Sequence, residues 1–126
     1  MVGDQIRRGS TLLISGTHQN ANVFHLCIIL NDPPDEDPPQ FLYVPVITAR
    51  KKYDATCILK VGDHEFIVHK SCVHYARAEV RTVKQLANRG SLKEPLRDGV
   101  LERVCAGIFG SPHTPPWVRK FYEDNT

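Results

Sequence analysis

The stretch GDHEFIVHKSCVHY, Gly62 to Tyr75, holds His64, His69 and His74 together with Cys72, Asp63 and Glu65. Imidazole, thiolate and carboxylate are the groups that ligate zinc, and histidine is the side chain that gives and takes protons near neutral pH. Phe66, Ile67, Val68 and Val73 are interleaved with them, so the same residues also read as two strands with polar edges. A metal site, an acid–base cluster and an ordinary piece of sheet are all open.

Pleating separates these readings. ILKV and HEFIV flank Gly62-Asp63, a pair suited to a tight hairpin turn. Counting outward sets Val61 against His64, Leu59 against Phe66 and Cys57 against Val68. Cys57, Leu59, Val61, His64, Phe66 and Val68 are then expected on the core face, with Thr56, Ile58, Lys60, Glu65, Ile67 and His69 on a wetter one. Cys57 and His64 share a face but stand about 13 Å apart along the strands at ~3.3 Å per residue, too far for one ion. Zinc would need His69, Cys72 and His74 to converge through a sharp turn at Lys70-Ser71, and neither metal nor cofactor is expected. In CVHYARAEV, Cys72 to Val80, alternation puts His74 with Cys72, Ala76, Ala78 and Val80 on a small apolar face. Tyr75, Arg77, Glu79 and Arg81 form the polar one.

The elements around this stretch read as strands first and helices last. STLLIS (Ser10 to Ser15), VFHLCIIL (Val23 to Leu30) and FLYVPVIT (Phe41 to Thr48) are short apolar or β-branched runs bounded by turn formers. The second and third are apolar on both faces and are expected at the sheet centre. Between them NDPPDEDPPQ, Asn31 to Gln40, is a solvent loop, because proline has no N–H to pair and the acids stay hydrated. Thr82 is placed to cap a short helix VKQLANR that Gly90 ends. A longer helix from about Pro95 carries Leu96, Val100, Leu101, Val104, Cys105 and Ile108 on one stripe and stops at Gly110. A last one, capped by Thr114 with Pro115 at its first position, is expected to bury Trp117, Val118 and Phe121. This order predicts an α+β fold, a small mostly antiparallel barrel with C-terminal helices packed at its edge, as one domain over residues 1–126.

Composition narrows the setting. Cys27, Cys57, Cys72 and Cys105 are widely spaced without a CxxC pair and are expected as free buried thiols. No run approaches the roughly 18 to 20 apolar residues of a membrane helix, so a cytoplasmic protein without membrane contact is expected. The net charge of +2 is small, but the basic residues cluster at Arg7 and Arg8 and at Arg50, Lys51 and Lys52.

Several motifs, in the same order, carry a resemblance. IRRGSTLLIS, VFHLCIILND, YVPVIT (Tyr43 to Thr48) and AEVRTVKQLANRG followed by SLKEPLRDGVLERV (Ala78 to Val104) resemble the MazF/PemK/Kid family of toxin endoribonucleases, over about Arg7 to Ile108. Gly62 to Tyr75 resembles a smaller branch of short PemK-like proteins. The resemblance implies an SH3-like barrel, usually a homodimer, that cuts single-stranded RNA without metal and is neutralised by an antitoxin protein. It places the family's catalytic Thr on Thr48 and a loop histidine of the Kid branch on His18, within GTHQN. The family's loop arginine has no counterpart, since Phe24 and His25 stand there. The Kid-type Arg and Asp of the last strand, counted back from Arg81-Thr82, fall on Ala76 and Ala78.

Metal-free RNA cleavage uses the substrate's own 2′-hydroxyl as nucleophile. It needs a base, an acid for the departing 5′-oxygen, and a cation or donors for the phosphorane charge. His18 as acid or base, Arg50 as phosphate holder, Thr48 as positioning donor and His74 as a further catalytic candidate fill these roles, with Arg7, Arg8, Lys51 and Lys52 as RNA-binding cations. The alternative is a non-catalytic SH3-like module with a degraded site, recognising a peptide or nucleic acid.

Overall fold

The structure, a computed structural model, describes residues 5–15 and 24–126. Among these residues the strands are β1 (Thr11–Ser15), β2 (Phe24–Ile29), β3 (Gln40–Thr48), β4 (Ile58–Leu59), β5 (Ser71–Val73), β6 (Glu79–Thr82) and β7 (Gly90–Lys93). The helices are α1 (Val83–Arg89), between β6 and β7, then α2 (Asp98–Gly110) and α3 (Pro116–Asn125). A 3-10 turn, Tyr75–Arg77, separates β5 from β6. The chain is thus α+β, and all its strand pairings among the described residues are antiparallel. The sheet runs β4-β5-β3-β2-β1-β7, with β6 also on β3, and is open rather than closed on itself. No helix among the described residues is long and apolar enough to cross a membrane.

β2 and β3 lie at the centre because both of their faces are apolar. Leu26, Ile28, Leu42, Val44 and Val46 face a core completed by Val100, Val104, Cys105 and Ile108 of α2 and Val118 of α3. Cys27, Ile29, Phe41 and Tyr43 face the other way, onto Leu12, Ile14, Ile6 and Leu86 of α1. Each such Leu or Ile removed from water contributes about 1.5–3 kcal/mol, so the helices are held by these contacts more than by propensity. The four cysteines are free and buried among them.

β3 is long enough to serve two neighbourhoods, and Pro45 divides them. The β2–β3 ladder ends at the pair Cys27 and Pro45, where proline has no N–H to give. Beyond it Val46, Ile47 and Thr48 pair with β5.

α1 starts as its sequence predicts. Thr82 Oγ1 accepts the Gln85 N–H at 3.3 Å and Gln85 Oε1 accepts the Thr82 N–H at 2.9 Å, a reciprocal cap. α3 starts later than expected: Pro115 is its cap residue, Thr114 makes no capping bond, and Trp117 is 50% exposed while Val118 is buried.

The expected hairpin at Gly62-Asp63 is corrected. The turn is there, with Gly62 at φ +103, but β4 pairs with β5 rather than with the residues after the turn: Ile58 opposes Cys72 and Leu59 opposes Ser71. Cys57, Leu59 and His64 are buried as expected, whereas Val61 and Val68 are 69% and 65% exposed and Ile67, expected wet, is buried. Side-chain ties replace the ladder. Asp63 takes the Lys60 N–H at 2.8 Å and ion pairs from Arg97 at 3.5 Å and Arg103 at 3.2 Å, fastening the turn to the start of α2. Burial alone would push the Asp63 carboxyl up, but these three partners hold it below its ordinary value.

The expected strand from Cys72 to Val80 is broken as well. Val46 opposes Val73 but Tyr43 opposes Glu79, so three steps along β3 match six on the partner, and the 3-10 turn takes up the excess. Tyr75 anchors that turn. It is fully buried, its hydroxyl donates to the Val104 carbonyl at 2.6 Å, and its ring lies where a side chain at Gly107 would be. Gly107→Ala should therefore cost ~3 kcal/mol of stability by overpacking, measured by urea unfolding. Combined with Tyr75→Phe, which removes the atom nearest the new methyl, it should cost less than the sum of the two single changes. A Gly107→Ala protein within about 0.5 kcal/mol of the parent, the range of a neutral surface change, contradicts this packing.

Candidate functional site

Where β3 leaves β2 at Pro45, two hollows adjoin. The smaller, about 260 Å³, is lined by His25, Cys27, Tyr43, Pro45, Ile47, His74, Arg77 and Glu79. The larger, about 680 Å³, runs past Phe24, Thr48, Arg50, Lys52, Phe66 and His69. His25 and Ile47 line both, so the two meet at the splay between β2 and β3.

The smaller cleft collects titratable groups from three elements. β2 supplies His25; β3 supplies Tyr43; the β5–β6 segment supplies His74, Arg77 and Glu79. Its placement follows from the backbone. The His74 N–H donates to the Pro45 carbonyl at 2.8 Å, and the Arg77 and Ala78 N–H groups close the turn onto His74 and Tyr75 carbonyls at 3.0 and 3.2 Å. Because the turn is folded in this way, His74 and Arg77, three apart, face the same cleft, whereas strict alternation would part them.

Glu79 is held from two sides. The Tyr43 hydroxyl donates to its Oε2 at 2.5 Å and the Arg81 guanidinium lies 3.0 Å from the same oxygen. Burial, followed by that bond to Glu79, raises the Tyr43 phenol far above its ordinary value, so it stays a donor. Burial also raises the Cys27 thiol, with Glu79 adding to the effect, which leaves it an apolar wall rather than a nucleophile. His74 is shifted the other way. Burial, then the Arg77 charge, lower its proton affinity, with smaller contributions from His25 and His113, against the pull of Asp54. A neutral imidazole at pH 7 beside an arginine is a proton acceptor next to an anion holder.

The residues singled out from the sequence are divided between the hollows. His74 lines the smaller cleft; Thr48, Arg50, Lys52 and His69 line the larger groove. Lys51 is exposed and lines neither. Arg7 and Arg8 stand elsewhere: the Arg8 guanidinium donates to Tyr122 of α3 at 3.3 Å, and its backbone N–H to Asp32. His18 lies outside the described residues. His69 and His74 line different hollows and Cys72 is fully buried, so this trio is not gathered around one point.

Arg77, Glu79 and His25 are the residues that reasoning from sequence passed over. Arg77 and Glu79 stand one position after Ala76 and Ala78, and the 3-10 turn brings them, not the alanines, into the cleft. The signal available was the Arg-x-Glu spacing itself, set aside by the assumption of an unbroken strand. No protein-family model matches the chain, and no curated protein matches it either.

The depressed affinity of His74 is open to direct measurement. Its imidazole should titrate with a midpoint below 6.5 in an NMR pH series, and Arg77→Ala should move that midpoint upward by removing a lowering charge. Since the native state then binds fewer protons than the unfolded chain, the contribution of His74 to stability is complete above about pH 6.5 and is lost as pH falls below it. A midpoint at or above 6.5 would contradict the site as described.

Proposed function

We propose that the protein is a toxin-type endoribonuclease that cuts single-stranded RNA through attack of the 2′-hydroxyl on the adjacent phosphate. The observation that carries this reading is the smaller cleft, in which two imidazoles, an arginine and a carboxylate converge. His74, lowered in proton affinity, takes the 2′-hydroxyl proton while the 2′-oxygen bonds to phosphorus. The P–O5′ bond breaks and His25, as the general acid, gives a proton to the leaving oxygen. Arg77 offsets the extra negative charge of the phosphorane. Products are a 2′,3′-cyclic phosphate and a 5′-hydroxyl, so atoms and charge balance with no added reactant. Glu79, which also lines the cleft, is held by Tyr43 and Arg81 and takes no proton in these steps.

The resemblance to the MazF/PemK/Kid family supports the same reading, now with Arg77 and Glu79 in place of the Arg and Asp that counting had put on Ala76 and Ala78. In it the open sheet is a variant of the SH3-like barrel, the chain pairs as a homodimer in the cytoplasm, and an antitoxin protein neutralises it. One observation favours a binding module instead: Thr48 and Arg50 line the larger groove, apart from His74.

Inducible expression with mapping of RNA ends separates the two. The reading expects growth arrest and new 2′,3′-cyclic phosphate ends, with His74→Ala lowering the cleavage rate by about 10²- to 10⁴-fold, the usual loss of a general acid–base group, and Arg77→Ala by about 10²- to 10³-fold, the usual loss of one donor to the developing charge. Cleavage by His74→Ala within a factor of ten of the parent excludes the assigned base. Intact RNA at high expression of the parent leaves the binding module.

A further inference from the structure

The larger groove meets the smaller cleft at His25 and Ile47 and runs on beyond it. Its lining includes Phe24, Tyr53, Phe66 and Val68 among apolar groups and Arg50 and Lys52 among cations, and no carboxylate is among the described lining residues. Phe24 is 59% exposed and Phe66 41%, and the two line the same groove, so their rings are open to a ligand lying in it. More positive charge stands over the rings: Lys93 Nζ lies 5.5 Å from the Phe66 centroid and Lys70 Nζ 5.7 Å from that of Tyr53. Flat apolar rings interleaved with cations are what successive bases and phosphates of an unpaired strand require.

Phe66 is also set in place before any ligand arrives. His64 is buried, with Nε2 at 2.6 Å from the Glu94 carbonyl and 3.0 Å from Thr11 Oγ1. The Phe66 N–H donates to His64 Nδ1 at 3.1 Å, so Nδ1 is the bare nitrogen and Nε2 carries the proton that goes to Glu94. The imidazole then stacks on the Phe66 ring at 5.9 Å between centroids and 29° between planes. An aromatic side chain held in this way is ordered at little further entropic cost on binding.

We propose that the larger groove is the strand-binding path of the enzyme, taking the nucleotides that flank the scissile phosphate. Their bases lie against Phe24 and Phe66 and their phosphates on Arg50 and Lys52, with His64 as the positioning residue for Phe66. The inference rests on the ribonuclease reading, because His25 and Ile47 join this groove to the cleft where the bond is cut. Stacking on rings is tolerant of base identity, so the groove supplies affinity for single strands and leaves the choice of cut to the cleft.

The test uses fluorescein-labelled 2′-O-methyl RNA, which has no free 2′-hydroxyl and so is bound but not cut. By fluorescence anisotropy a hexamer should bind more tightly than a dimer. Phe24→Ala and Phe66→Ala should each weaken the hexamer by about 5- to 150-fold, the loss of one stacking platform, and Phe66→Trp should retain it. Arg50→Ala with Lys52→Ala should reduce the slope of log affinity against log salt by about 1.4, two phosphate contacts on a single strand. His64→Gln should weaken the hexamer in the same direction as Phe66→Ala, and adding Phe66→Ala to it should cost little more. Equal binding by the parent and the Phe24 and Phe66 variants overturns the groove, and the ribonuclease reading stands if the parent cuts natural RNA. Loss of binding in those variants while the parent fails to cut supports the groove and overturns the catalytic reading. No hexamer binding by the parent, or its displacement by poly-glutamate at lower concentration than by unlabelled RNA, overturns the proposal.

Discussion

The contact between Tyr75 and Gly107 is the constraint from which the site follows. A full-sized aromatic ring is inserted against α2 where that helix has no side chain, and its hydroxyl reaches the Val104 carbonyl. A buried tyrosine needs such an acceptor for its O–H. Since Tyr75 begins the 3-10 turn, fixing its ring fixes the turn, and the residues on either side of it, His74 and Arg77, are aimed together. The hydrophobic core and the candidate active site are thus two ends of the same short segment.

Pro45 contributes the complementary constraint. A nine-residue strand that paired β2 along its length would leave no gap at the sheet centre. With no N–H at Pro45 the ladder stops, β3 continues with β5, and the space between the strands is where both hollows lie. The carbonyl of the same proline accepts the His74 N–H, so the residue that opens the cleft also positions a side chain in it. Two apolar faces on β2 and β3 make this tolerable: packing on both sides holds the strands where hydrogen bonds between them are missing.

Much of the frame was legible in the chain. Apolar runs located β1, β2 and β3, Thr82 marked the start of α1, and wide cysteine spacing pointed to free thiols, because each of these depends on neighbouring residues or on simple burial. What escaped depends on distant partners. The tight hairpin after Gly62 is a sound local inference, but Asp63 is drawn to Arg97 and Arg103, and His64 to Thr11 and Glu94, all remote in sequence. These ties turn Phe66 and Val68 outward and Ile67 inward, the reverse of the counted register. β7 was passed over because GSLK has little alternation of its own and is a strand only beside β1. Arg77 and Glu79 were missed for the same kind of reason, since the turn that gathers them depends on Gly107, remote in sequence from Tyr75.

The placement of Arg77 beside His74 gives the proposed reaction its order. In the free protein burial and then the Arg77 guanidinium disfavour a proton on His74, which leaves the imidazole a proton acceptor. On the proposed reading, a phosphate drawn to Arg77 would bring opposite charge into the cleft and offset the part of that effect due to Arg77. In the proposed reaction the imidazole would then be more basic when the 2′-hydroxyl proton must move, and the imidazolium formed would stand beside an anion rather than beside a bare cation. The same charge that keeps His74 neutral without substrate would, once neutralised by the phosphate, let it hold the proton. A cleft with the carboxylate nearer than the arginine would reverse this, protonating the base before substrate arrived; here Glu79 is already engaged by Tyr43 and Arg81, and Arg77 has the larger influence on His74.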